Sequence, residues 1–508
     1  MKDAEFADVL AAVRQFVRTR VVPREDEIED TDAIPDDVRR AAVQMGLFGY
    51  TLPEEFGGLG ASLTEDVQLA FEFGYTTPAF RSMFGTNNGI AGQVLVNAGT
   101  GEQKQDWLPR LAQGAVASFA LTEAEAGSDP SGLTTRATRD GDGYLLSGSK
   151  RFITNAPIAD LFVVFARTDP QARGTRGISV FLVGAGLDGV RVGPKDAKMG
   201  QAGAWTSEVF FDDVPVPESA LVGGKEGAGF GEAMRSLVRG RVHIAAICVG
   251  MAERLLAESV AHARISRQGG QPIGEFQLVQ AMLADQQTGV LAGRALVRET
   301  AARYVSGEDR RIGPSAAKLF CTEMAGRVAD LAVQVHGGTG YMRDVPVERI
   351  YRDVRLLRLY EGTSEIQRLI IGGGLIRAEQ RRLTGSGAAD RKPKSAACPG
   401  RAALKLLCDV RGLFPELSTH VNSIMSRRLG RRVIWALCAP GLERRVQAGV
   451  DAAGVQLEDA RAVFGVERRL LDVTLGVVPG EVAVGVVASD RAKHFRREQD
   501  VGRLDHGG

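Results

Sequence analysis

The sequence is poor in cysteine. Its 508 residues include five, Cys248, Cys321, Cys398, Cys408 and Cys438. The number is odd and the spacing matches no metal site, so neither a disulfide framework nor a bound metal is expected. An excess of one charge is also lacking. Lys and Arg total 63 and Asp and Glu 62, a formal net charge of +1, which excludes the footprint of a nucleic-acid binder. Long apolar runs are missing: Ile244 to Ala252 is among the longest and is too short to span a membrane. The first residues carry Asp3, Glu5 and Asp8 and have no apolar signal core. These absences point to a soluble cytoplasmic protein with no membrane or nucleic-acid partner.

Hydrophobic residues make up 44%, enough for a sizeable core, over a length that implies several domains. The even charge hides an asymmetry. Residues 381–508 carry 22 Lys and Arg against 14 Asp and Glu, a net of +8, which leaves 41 against 48, a net of −7, for residues 1–380.

The patterning changes three times along the chain. Up to about residue 118 it is helical: Phe6, Val9, Leu10, Val13, Phe16 and Val17 share a helix face, and Pro23 reads as the stop. Further helices are expected over about 35–45, 64–75, 84–98 and 102–113, with a turn-rich connector at residues 53–60. From Phe119 the pattern becomes short apolar runs at 144–146, 161–166, 178–183 and 205–211, read as strands. Asp140-Gly141-Asp142-Gly143 marks a hairpin between two strands. After about Phe230 long helical patterns return, over 241–266, 276–305, 314–335 and 346–371. The expected fold is α+β: an N-terminal helical domain (1–118), a middle β-domain (119–230), a C-terminal four-helix-bundle domain (231–382) and an Arg-rich extension (383–508). Residues 381–508 have 18 Arg against 4 Lys. Helices over 401–407 and 455–471 and a strand over 481–487 are the extension's only patterned pieces. A small appended domain, a disordered basic tail and a fusion or readthrough product all remain open for it.

Four stretches carry chemistry. Tyr360-Glu361-Gly362-Thr363-Ser364-Glu365 sets a carboxylate at a break between two helical patterns, with Thr363 or Ser364 as the cap of the second. A glutamate there, reachable from a cavity, can remove a proton from carbon. Phe119 to Asp129, with Thr122, Gly127 and Ser128, reads as a strand entering a glycine turn, whose freed N–H and hydroxyl groups suit a polar cofactor edge. Lys150 to Asn155 reads as a strand end. Gln334-Val335-His336-Gly337-Gly338 is a helix stop where paired glycines allow close backbone approach. Gly227-Ala228-Gly229-Phe230-Gly231 lacks the strand–helix unit of a dinucleotide loop and reads as a domain junction.

Taken together and in this order, these stretches resemble the signatures of the FAD-dependent acyl-CoA dehydrogenases over about residues 1–380. The resemblance implies that Glu361 is the catalytic base. It implies flavin contacts for Phe119, Leu121, Thr122, Ser128, Phe152, Thr154, Thr363 and Glu365, and contact with the acyl-CoA for Ser128 and Arg241. It assigns Gln334, Gly337 and Gly338 to the adenosine diphosphate half of FAD from a neighbouring subunit, Gln277 and Arg267 to FAD as well, and His336 to a structural role. Some positions depart from the family: Ser266 and Gly269 stand where it usually has Arg and Phe, Val238 where Asp is frequent, and Gly373 where an arginine is usual. Some relatives carry the base at the position of Gly240, which cannot act as one.

The implied reaction is α,β-dehydrogenation of an acyl-CoA thioester to a trans-2-enoyl-CoA. Electrons would pass to an electron-transfer flavoprotein, and the assembly would be a homotetramer, a dimer of dimers. The alternatives are an oxygen-using acyl-CoA oxidase and a non-catalytic acyl-CoA or partner-binding homologue.

Overall fold

The computed structural model describes residues 3–172, 174–384, 471–478 and 481–488. Seven helices come first: α1 (Asp3–Phe16), α2 (Glu25–Thr31), α3 (Asp36–Gln44), α4 (Leu63–Gly74), α5 (Pro78–Gly89), α6 (Ala91–Ala98) and α7 (Gly101–Ala112). Sequence chemistry sets several starts. The Ser62 hydroxyl accepts the Glu65 N–H while the Glu65 carboxylate accepts the Ser62 N–H, a reciprocal cap on α4. Thr100 and Gln103 repeat it on α7. Two expectations shift. Pro23 does not end the first helix: a π-turn at Val17–Val21 follows α1, and Pro23 opens a short 3-10 turn leading into α2, where its missing N–H costs nothing. The single helix expected over 84–98 is two, α5 and α6, broken at Ile90 (φ −126°).

The middle of the chain forms β1 (Ala117–Ala120), β2 (Arg136–Asp140), β3 (Gly143–Thr154), β4 (Leu161–Arg167), β5 (Ile178–Gly184), β6 (Val190–Val192) and β7 (Thr206–Pro217). They make one sheet in the order β1-β4-β2-β3-β7-β6, with β5 along the other edge of β4. β4 pairs parallel with β1 and antiparallel with β5. Its run of six buried side chains reflects burial on both faces. On one face Leu161, Val163 and Phe165 pack with Leu95, Leu108 and Leu111 of the preceding helices. On the other Phe162 and Val164 pack with Tyr144, Phe181 and Phe211. The expected Asp140–Gly143 hairpin joins β2 to β3. β3 and β7 slip register between Lys150 and Ile153, a bulge that bends the strand and turns one residue out of the ladder.

Then follow α8 (Gly229–Ile265), a two-residue hairpin of β8 (Arg267–Gln268) and β9 (Gln271–Pro272), and α9 (Gln277–Ser306), α10 (Ile312–His336), α11 (Pro346–Leu357) and α12 (Ser364–Thr384). α8, α9 and α10 pack on one another, with α11 and α12 against α10. α4 is laid on α8 and α9, so Phe73, Phe80 and Phe84 share one core with Ile244, Val249 and Met324. Helix, sheet, helix is the expected α+β order. In the separate unit Asp390–Gly508, β10 (Leu471–Val478) pairs antiparallel with β11 (Glu481–Ala488). The strand expected over 481–487 is thus present. The helix expected over 455–471 meets the start of β10 at Leu471; the rest of it, and the helix expected over 401–407, lie outside the described residues. Among the described residues, no helix is long and apolar enough to cross a membrane.

Candidate active site

Helix α11 stops at Leu357, and the chain turns before α12 begins at Ser364. Thr363 is the cap: its hydroxyl accepts the Ile366 N–H at 3.3 Å. Between the helices Glu361 holds φ +53° and Gly362 φ +90°. A non-glycine residue in this left-handed region is disfavoured by about 1–3 kcal/mol, which the surroundings must offset. The corner aims the Glu361 carboxylate at α8. A Cβ added at Gly240 would stand 2.3 Å from Glu361 Oε2, so positions 240 and 361 address one point in space. Oε2 is buried and has no hydrogen-bond partner among the described residues. The Glu361 N–H likewise meets no acceptor there.

Glu361 lines a cavity of about 440 Å3 that also gathers Phe119, Leu121, Thr122, Ser128, Phe152, Thr154 and Arg241. The bulge in β3 puts Phe152 at φ +57° and leaves the residue 62% exposed on the cavity wall. The Phe119 ring rests on Phe165, centroids 4.8 Å apart. Arg241, on α8, is buried with its Nε unpartnered. Burial lowers its pKa and the Glu361 charge opposes that shift.

The glycine turn and the strand end are tied together by a buried ion pair. Lys150 Nζ lies 2.8 Å from Glu123 Oε1 and 3.3 Å from the Leu121 carbonyl. The Glu123 carboxylate also accepts the N–H groups of Thr134 at 2.6 Å and Thr135 at 2.9 Å. Burial pushes the Glu123 pKa up, but Lys150 and these hydrogen bonds outweigh it and hold the carboxyl at about 2. Burial brings Lys150 down to about 8 against the pull of Glu123.

Arg267, Gln277, Gln334, Gly337 and Gly338 do not line this cavity. They belong to another end of the helical lobe, where the end of α8, the start of α9 and the end of α10 meet around Ala263, Ile273 and Val335. All five are exposed, and Gly337 and Gly338 have open space where a Cβ would stand. His336 is buried there, bonded through Nδ1 to the Ala332 carbonyl and stacked on His262, centroids 4.2 Å apart. Thr363 faces α12 as its cap, and Glu365 is exposed. One turn after Gly373, Arg377 Nη2 comes within 3.1 Å of where a Gly373 Cβ would be.

Sequence reading gave no role to Arg81, His243, Lys318 or Gln367. Arg81, on α5, lines the cavity and donates Nε–H to His243 Nε2 at 2.9 Å. That ring nitrogen must be an acceptor, so the imidazole is neutral and its Nδ1–H donates to Asp66 at 2.8 Å. Burial lowers the His243 pKa in agreement. Lys318 and Gln367 hold the Glu361 corner from behind. Arg81 and Lys318 come from elements remote in sequence from the motifs, whereas Gln367 follows Glu361 by six residues and His243 follows Arg241 by two.

The cavity and its corner are those of a known architecture. Residues 3–115, 118–214 and 227–376 match the models of the acyl-CoA dehydrogenase N-terminal, middle and C-terminal domains. The chain belongs to the acyl-CoA dehydrogenase family. It is similar to an acyl-CoA dehydrogenase of Bacillus subtilis, 40% identical over 365 residues, or 72% of this chain and 96% of the relative. The CarC subunit of a caffeyl-CoA reductase–Etf complex from Acetobacterium woodii is 36% identical over 69% of this chain and 93% of its own length. The structure of butyryl-CoA dehydrogenase from Megasphaera elsdenii superposes with a TM-score of 0.71 at 33% identity, covering 74% of this chain and 99% of that one. Members of the family are flavoproteins that bind FAD. The residues here suit such a group: an exposed phenyl face, an open glycine turn and an unpartnered carboxylate oxygen surround one cavity.

Proposed function

We propose that Glu361 is the base of an FAD-dependent acyl-CoA dehydrogenase and removes the α-proton of an acyl-CoA thioester. The carrying observation is its carboxylate, buried and unpartnered at Oε2, on the wall of the cavity that gathers the flavin-side motifs. FAD, when bound, takes up the hydride from the β-carbon, so that the product is the trans-2-enoyl thioester. The chain's own part is to position and polarise. Phe119, Leu121, Thr122, Ser128, Phe152 and Thr154 would hold the flavin, with Glu123 and Lys150 keeping their two segments in register. Thr363 and Glu365 would flank it. An α-C–H is a very weak acid, so negative charge developing on the thioester oxygen needs donors. The free Glu361 N–H is one, worth about 3–4 kcal/mol in comparable sites. Arg241 and the exposed Ser128 would meet the acyl-CoA.

Arg267, Gln277, Gln334, Gly337 and Gly338 would serve the adenosine end of a cofactor held mainly by a second subunit, which explains why they lie together and away from the cavity. This reading includes the homotetramer. Large apolar residues left exposed on α9 and α12, such as Leu278 (79%) and Leu369 (70%), support it. An electron-transfer flavoprotein is the proposed acceptor, in keeping with the Etf named in the CarC complex. The same proposal covers a cytoplasmic location and domain limits at 118, 230 and 382, which the matched stretches support.

Arg81 narrows the acyl group. Among the described residues it has no carboxylate partner, and its Nε is spent on a neutral imidazole. An acyl chain carrying a second carboxylate would pair with it, a charged hydrogen bond worth about 1.5–3 kcal/mol.

The experiment is anaerobic titration of the yellow protein with butyryl-CoA, octanoyl-CoA and glutaryl-CoA. Bleaching of the flavin band with enoyl-CoA formation supports the dehydrogenase. A colourless protein supports the non-catalytic binder, and peroxide formed in air supports the oxidase. Preference for glutaryl-CoA that disappears in Arg81→Met supports the narrower substrate; equal rates with all three oppose it.

A further inference from the structure

The corner that carries Glu361 is held from behind by a buried ammonium and a buried amide. Lys318, on α10, is 0% exposed. Its Nζ donates to the Tyr360 carbonyl at 2.8 Å and to the Gly362 carbonyl at 2.6 Å, the two carbonyls on either side of Glu361. Gln367, also 0% exposed, donates to the Gly362 carbonyl at 2.8 Å and weakly to the Glu361 carbonyl at 3.4 Å. Two side chains thus take three successive carbonyls. The left-handed turn at Glu361 and Gly362 makes this necessary, because the helix does not run on and no following backbone N–H reaches these oxygens.

Lys318 is an expensive choice for packing alone. Burial draws its pKa down to about 8, and the strongest opposing charge is that of Glu361. Tyr360 and Gly362 line the cavity and Lys318 does not, so it acts through the loop and touches no substrate. A whole buried ion pair can often be replaced by well-packed apolar residues without loss of stability, but Lys318 serves backbone oxygens. Here an apolar residue would leave the Tyr360 carbonyl unpaired and the Gly362 carbonyl with Gln367 as its one remaining donor.

We propose that Lys318 is a positioning residue for the base: its two hydrogen bonds fix the left-handed corner that presses the Glu361 carboxylate against Gly240 and into the cavity. This rests on Glu361 being the base.

The test uses the full chain with its flavin. Lys318→Met keeps length and removes the donors; Lys318→Arg keeps charge and donors. A crystal structure of Lys318→Met should show Glu361 out of the left-handed region and its carboxylate away from Gly240. In anaerobic stopped flow with butyryl-CoA, the limiting rate of flavin bleaching should fall about 100-fold, as misplacement of a reacting group by about 1 Å does. The half-saturating concentration and the flavin content should stay near those of the wild type, and Lys318→Arg should recover part of the rate. Lys318→Met with an unmoved corner and an unchanged rate, whatever its melting temperature, would overturn the proposal. If Lys318→Met does not fold, Lys318→Gln, which keeps an uncharged and shorter donor group, is judged by the same outcomes. If wild-type flavin bleaches with no CoA thioester, the base reading fails, and the crystal structure still decides what Lys318 holds.

Discussion

At the scale of single residues, the site depends on how little room surrounds the Glu361 carboxylate. Gly240 is glycine because Glu361 Oε2 fills the place of its side chain. Gly240→Ala is therefore expected to fold, keep flavin and bleach about 100-fold more slowly, as read by stopped flow beside an absorbance spectrum. An unchanged rate would mean that the carboxylate does not rest there during turnover. The sequence already pointed to Glu361 and Gly240, because a break between helices and a family signature are local patterns. It could not point to Lys318, Gln367 or Arg81. A lysine inside an apolar helix looks the same on paper whether it faces water or two carbonyls, and only the packing of α10 under the corner tells them apart.

At the scale of elements, the glycine turn and the bulged strand act as one unit because Glu123 and Lys150 join them in the interior. The Glu123 pKa is depressed from 4.5 to about 2, so its stabilisation is complete above pH 4.5 and is lost as pH falls through 2. Acid unfolding of the wild type should thus steepen in that window. Glu123→Gln should flatten the dependence and, by leaving Lys150 buried and unpaired, cost about 3–5 kcal/mol. Denaturant melts at pH 7 and at low pH check both, and falling flavin content should accompany the loss. Periodicity made most helices and strands readable. It failed at Pro23 and at Ile90. There the apolar face continues across a change in backbone geometry, so the pattern hides the joint.

At the scale of the whole molecule, the N-terminal and C-terminal helices share one core through α4 and α8, while the two groups of cofactor-side residues stand apart. On the proposed reading, a second copy brings the two groups to one cofactor. Light scattering should give the mass of four chains, and Leu369→Glu should lower it and release flavin; a single-chain mass for the wild type would contradict the assembly. A chain ending at Ala389, the limit of the first unit, should bleach at the full-length rate, since the Bacillus subtilis relative is matched over 96% of its length without the extension. A lost or strongly altered rate would give the extension a role in the site. The deciding measurement is on Glu361→Gln. The account predicts a yellow, folded protein whose flavin stays oxidised under excess acyl-CoA without air. Bleaching at the wild-type rate would put the base elsewhere.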